Sequence, residues 1–107
     1  MTDPDDAFQE TDAIERAKIT LETAAIGWES LLPHFARGAV VAVDGALDLV
    51  AVAEHFSRDD ADQIKAWMAA NQVGKVSDAQ AAAWLEQRAE VWAVVIAPWI
   101  LVQEKRA

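Results

Sequence analysis

Residues Val91 to Val102 read VWAVVIAPWILV, twelve consecutive apolar positions, most of them β-branched or aromatic, broken only by Pro98. A bilayer-spanning helix needs about 18 or more apolar residues, so this run is too short for one and predicts a strand buried on both faces. Proline donates no ladder hydrogen bond and is confined to edges, bulges and strand ends. The run is therefore expected to be one long strand whose halves meet at a bulge or kink at Pro98. Trp92 and Trp99 lie seven positions apart, on opposite faces of an unbroken strand, and a bulge would bring them to one side.

Working outward, Ala39 to Val43 alternates as a short strand able to pair with the terminal run. Between the two strands the chain is helical in pattern. The stretch DGALDLVAVAEHF, residues 44–56, is ambiguous, because Asp44-Gly45 is a hairpin signal between two apolar runs. A helix separates its polar and apolar positions better than a strand does, with Asp44 as its cap. Ser57 with Asp60, or Asp59 with Asp62, has cap spacing for the next helix, in which Ala61, Ile64, Trp67 and Met68 recur at helical intervals up to about Asn71–Gly74. Ser77 and Gln80 form a capping box before Ala81, Trp84 and Leu85, predicting a last helix to about Arg88. At the other end, Ile14, Ala17, Leu21, Ala24 and Ala25 predict a helix that begins between Ala7 and Ala13 and stops near Ile26, at Gly27. A short turn, WESLLPHF, precedes the first strand. Residues 1–6, rich in aspartate, read as a loose solvated tail.

At 107 residues the chain is the size of one domain. Its 53% hydrophobic content overstates the core, because twenty-three of those residues are alanine. With no tyrosine, three phenylalanines and five tryptophans, most of the aromatic area is indole. A net charge of −9 repels phosphate backbones and anionic headgroups, which disfavours nucleic acid and membrane as partners. The absence of cysteine removes disulfides, thiolate metal sites and a cysteine nucleophile. An acidic N-terminus lacks the pattern of a secretory signal, so a cytoplasmic setting is expected.

No stretch names a reaction. His55 with Asp59 and Asp48 would share a helix face and could offer metal ligands, yet Ser57 and Asp59 have the spacing of caps, and the second histidine, His34, is remote in sequence. Glu29, Asp44, Asp48 and Glu54 could contain an acid–base pair, but eighteen acidic residues produce such sets by chance. Ser30, Ser57 and Ser77 lie outside any nucleophile-elbow context, and the four glycines are isolated, so no phosphate-cradling loop is present. Neither a metal nor a cofactor is called for.

The order Trp28-Glu29-x-Leu31-x-Pro33-His34-x-x-Arg37-Gly38, then Leu47-Asp48-Leu49-Val50, then Asp59-Asp60 ahead of Trp67, then Val94-Val95-Ile96-x-Pro98-Trp99-Ile100-Leu101-Val102-Gln103-Glu104, resembles the domain of unknown function 2288 family of short bacterial proteins. The resemblance spans about residues 13 to 104. It implies no activity, substrate or catalytic set, so no site carries over. The matching polar positions Glu29, His34, Arg37, Asp44, Asp48, Asp59 and Asp60 are the ones to examine for a shared surface.

The expectation is an α+β fold with an N-terminal helix, a short strand, about three helices in the middle and a long C-terminal strand. Two such strands and four helices leave apolar strand surface uncovered. This favours a non-enzymatic interaction or structural module that forms a homodimer, or meets a protein partner, through Trp92 or Trp99. The alternative is a small metal-dependent hydrolase or other enzyme using His34, Arg37, Asp44, Asp48 and His55, where the few non-lysine ionisable groups between Pro33 and His55 gather.

Overall fold

The computed structural model describes residue 14 and residues 16–105. The expected start of the first helix and the acidic segment at residues 1–6 lie outside the described residues. The fold is α+β. In chain order it comprises α1 (residues 16–22), β1 (Ala24–Gly27), a 3-10 turn (Trp28–Leu31), α2 (Leu32–Ala36), β2 (Val40–Val43), α3 (Leu49–Ser57), α4 (Ala61–Ala69), β3 (Val73–Lys75), α5 (Asp78–Glu86), β4 (Glu90–Ile96) and β5 (Trp99–Glu104).

The terminal run is not one bulged strand but a hairpin. Ile96 pairs with Trp99 and Val91 with Glu104, so β4 and β5 lie antiparallel around a two-residue turn at Ala97-Pro98, whose peptide bond is cis. A proline placed in the turn interrupts no ladder hydrogen bond, which is why the apolar run folds back on itself here. The hairpin also puts Trp92 and Trp99 on one face of the sheet without any bulge.

One five-stranded sheet results, in the order β1-β4-β5-β2-β3. As expected, the strand over residues 39–43 pairs with the terminal run: β2 lies parallel to β5, with Val40 opposite Ile100. The sheet is covered on both faces. On the first, Ile19, Leu49, Val52 and Ala53 from α1 and α3 pack on Val41, Val43, Val94 and Leu101, with Trp67 of α4 and Trp99 against them. On the second, Trp28, Leu31, Ala81 and Trp84 pack on Val40, Val91, Ile100 and Val102, with Leu32 and Phe35 alongside. Trp84 and Phe35 each meet Trp28 edge-to-face, at 5.0 and 5.6 Å between ring centres. The buried indole N–H groups of Trp28 and Trp84 have no hydrogen-bond partner, and edge-to-face packing is the geometry in which such an N–H meets a π face.

Two strands escape the sequence patterns. β1, Ala-Ala-Ile-Gly, has almost no strand propensity and forms because β4 offers it an edge from Glu90 to Ala93, while Thr23 closes α1 by bonding back to the Ile19 carbonyl. The first helix therefore ends at residue 22, not Ile26, and its inward side carries Ile19, whereas Ile14 and Leu21 are 70% and 86% exposed. β3 is three residues containing a glycine, held on the outer edge of β2. Residues 44–56 hold the expected helix, but its cap is Asp48, which accepts from the Val50 N–H, while Asp44 accepts from the Ala46 N–H in the preceding turn. Ser77 caps α5 at the expected spacing, whereas α4 is capped neither by Ser57 nor by Asp59 but by Asp60, whose side chain accepts from the Gln63 N–H.

Helices α3, α4 and α5 share one way of stopping. Asp59, Asn71 and Arg88 take left-handed backbone angles (φ 54, 58 and 49), and the next N–H bonds back across the turn in each case: Asp60 to His55, Gln72 to Trp67, Ala89 to Trp84. These are Schellman closures built without glycine.

Candidate functional site

An apolar opening lies on the first face of the sheet, where the end of α3, α4, the start of β2, Lys75 of β3 and the β4–β5 turn converge. It encloses about 390 Å³. Phe56, Ile64, Met68, Ile96, Pro98 and Trp99 form its apolar wall, and Lys65, Lys75 and Asp59 contribute the charges. Each element is held in place locally. The left-handed Asp59 turns the chain from α3 into α4, Asp60 caps α4 and bonds His55 Nδ1 at 2.8 Å, and His55 packs edge-on against Trp67 at 5.1 Å. The hydrogen bond from His55, with that from the Gln63 N–H, holds the Asp60 carboxyl below its ordinary value of 3.8. Met68 remains 45% exposed although the helix beneath it is anchored through Trp67. Lys65 and Lys75 have no ion-pair partner among the described residues, whereas Arg16, Arg58 and Lys105 each pair with an acidic side chain.

A second opening of about 430 Å³ runs along β2 and β3 and is mostly polar, with Asp44, Gln72, Gln80 and Glu104 among its lining.

The family model described as "Protein of unknown function (DUF2288)" matches residues 14–104. The chain belongs to the DUF2288 family. Among solved structures it is similar to one described as the NMR solution structure of PA1075 from Pseudomonas aeruginosa, with 45% sequence identity and a TM-score of 0.78, covering 88% of this chain and 87% of that one. No curated protein matches the chain.

The polar positions of the DUF2288 pattern do not gather in one place. His34 and Arg37 bond to each other on α2 and its following turn, over the second face of the sheet. His55 is on α3, over the first face, so the sheet separates the two histidines. Asp48 caps α3 and pairs with Arg16, which also reaches Glu54. Asp44 is exposed in the turn after β2, and Glu29 is exposed on the 3-10 turn. Of these positions Asp60 is the one that bonds His55 among the described residues. Among the described residues no three His, Asp or Glu side chains gather to hold a metal ion. Of the two interface candidates, Trp99 is half-buried on the first core and lines the apolar opening. Trp92 is 38% exposed, with the Lys105 ammonium 5.2 Å over its ring.

Sequence reasoning missed Lys65 and Lys75. Two lysines within ten positions of each other, in a chain with twice as many acids as bases, are the signal that could have found them. No helix of the described residues is long and apolar enough to cross a membrane.

Proposed function

We propose that the protein is a non-enzymatic interaction module that pairs with a second copy of itself along the β1–β4 side of the sheet. One observation carries the reading. Among the described residues β1 covers β4 only from Glu90 to Ala93, and beyond it Val94, Val95 and Ile96 have a strand on one side alone, with Val95 61% exposed. An uncovered edge of β-branched residues is a template for another strand, and a two-fold axis lets the same segment of two copies pair antiparallel. Trp92, on the strand next to the central one and partly exposed, would flank the contact as an aromatic anchor. The net charge of −9 favours solubility and disfavours anionic surfaces, in keeping with a cytoplasmic setting.

Light scattering coupled to size exclusion tests this. The wild-type chain is expected at twice its own mass at micromolar concentration. Val95→Lys, a change at an exposed position, is expected to keep the native circular dichroism and run as a monomer, with association weakened roughly 30-fold or more. A wild-type chain that stays monomeric throughout would refute the proposal.

The second reading, an enzyme built on His34, Arg37, Asp44, Asp48 and His55, is less favoured because those side chains are divided between the two faces of the sheet.

A further inference from the structure

We infer that the apolar recess between α4 and the β4–β5 turn is a binding site for a small amphipathic anion, an organic acid with an apolar body and one carboxylate. The inference does not rest on the dimer, although the two surfaces adjoin at Ile96, which belongs to the open edge of β4 and also lines the recess. Three observations carry it.

The recess, about 390 Å³, falls within the size range of small-molecule sites and has their make-up, an apolar wall with a few convergent polar groups. Its apolar wall extends the first core to the surface: Phe56, Ile96 and Trp99 pack on that core, and together with Ile64, Met68 and Pro98 they leave a concave apolar surface open. Its charge is the reverse of the chain's. Lys65 on α4 and Lys75 on β3 line the recess without an ion-pair partner among the described residues, and Asp59 adds one carboxylate, a formal local balance of +1 on a chain of −9. A single carboxylate neutralises that balance, while its apolar body covers the wall. Lysine suits the role, because an ammonium on a flexible four-carbon stem can follow a head group whose position varies with the ligand.

The test uses octanoate, octanol and octyl phosphate as probes of the full-length chain, followed by isotope-edited NMR. Octanoate is expected to shift the signals of Ile64, Met68 and the Trp99 indole in a saturable way. Octanol should bind at least ten-fold more weakly, and octyl phosphate no more tightly than octanoate. In the Lys65→Gln, Lys75→Gln double variant, whose changes are at exposed positions, octanoate should weaken to the level of octanol while octanol is unaffected. The inference is overturned if octanol binds as well as octanoate or if octyl phosphate binds more tightly. It is equally overturned if the shifts map elsewhere, if none occur at millimolar probe, or if the recess signals move with protein concentration alone, which would mean that a second copy covers the recess. Repeating the measurements on Val95→Lys separates the two proposals, because that change removes the edge contact and leaves the recess lining intact.

Discussion

Asp60 does three things at once: it caps α4, fixes the His55 ring, and is itself held in the ionised form by that ring and the Gln63 N–H. A carboxyl whose folded pKa lies below its unfolded value adds stability that is present above the unfolded value, near 3.8, and is lost as pH falls through the folded one. Asp60→Asn keeps an acceptor for the cap and removes the titration. Thermal midpoints compared at pH 7 and near pH 3 are expected to fall less in the variant than in the wild type, and equal falls would show that Asp60 does not contribute to the acid limb. Arg88 is a residue-scale liability of another kind. It closes α5 at φ 49, a conformation that costs a residue bearing a Cβ about 1–2 kcal/mol and glycine little. Arg88→Gly is therefore expected to raise stability by about 1 kcal/mol in urea unfolding, with an unchanged slope. Helix starts were more legible than helix ends for this reason: Ser77 is a recognisable cap and the start of α4 falls within three residues of the expected Ser57 or Asp59, whereas Asp59, Asn71 and Arg88 end helices without the glycine that marks such positions.

At the scale of elements, the two helical tryptophans separate what periodicity can and cannot resolve. Trp84 and Trp67 both recur at core spacing, yet Trp84 is 3% exposed in the second core, while Trp67 is half-buried, wedged between His55 and the first core. Trp84→Ala is expected to cost about 3–5 kcal/mol, a large share of the roughly 5–15 kcal/mol of a domain this size. Trp67→Ala should cost on the order of 1–2 kcal/mol. Chemical denaturation of the two variants checks the ranking, and equal losses would mean that α4 is buried as deeply as α5. The strands show the same division. The β2–β5 pairing was legible because both segments are apolar runs with strand propensity. β1 and β3 were not, since Ala24–Gly27 and Val73–Lys75 are strands only because a neighbour supplies the ladder. The recess was illegible for a related reason: its wall comes from α3, α4, β2, β3 and the β4–β5 turn, and no local pattern announces a meeting of five segments.

For the whole molecule, the expected shortage of cover for the sheet did not arise in the form anticipated. Folding the terminal run into a hairpin and recruiting β1 and β3 made a wider sheet, and α1, α3 and α4 on one face with the 3-10 turn, α2 and α5 on the other enclose two separate cores. What remains open is an edge, at Val94–Ile96, and a recess, beneath Met68 and Trp99. The functional candidates moved accordingly, from the polar residues between Pro33 and His55 to places where apolar surface meets solvent.

The strand order has one more effect, on how the chain comes into being. β5 is the last strand to be synthesised and occupies the middle of the sheet, with β4 on one side and β2 on the other. Leu101 and Val102 are fully enclosed there. Ribosomes add about 5–20 residues per second, so β2, β3 and α3–α5 exist for seconds before the strand that joins their half of the sheet to β1 and β4 emerges. Throughout that interval the nascent chain displays its unmatched apolar strands to the cell. The finished sheet can only close after translation has passed residue 104, which makes the newborn chain, and not the mature fold, the form most in need of a chaperone.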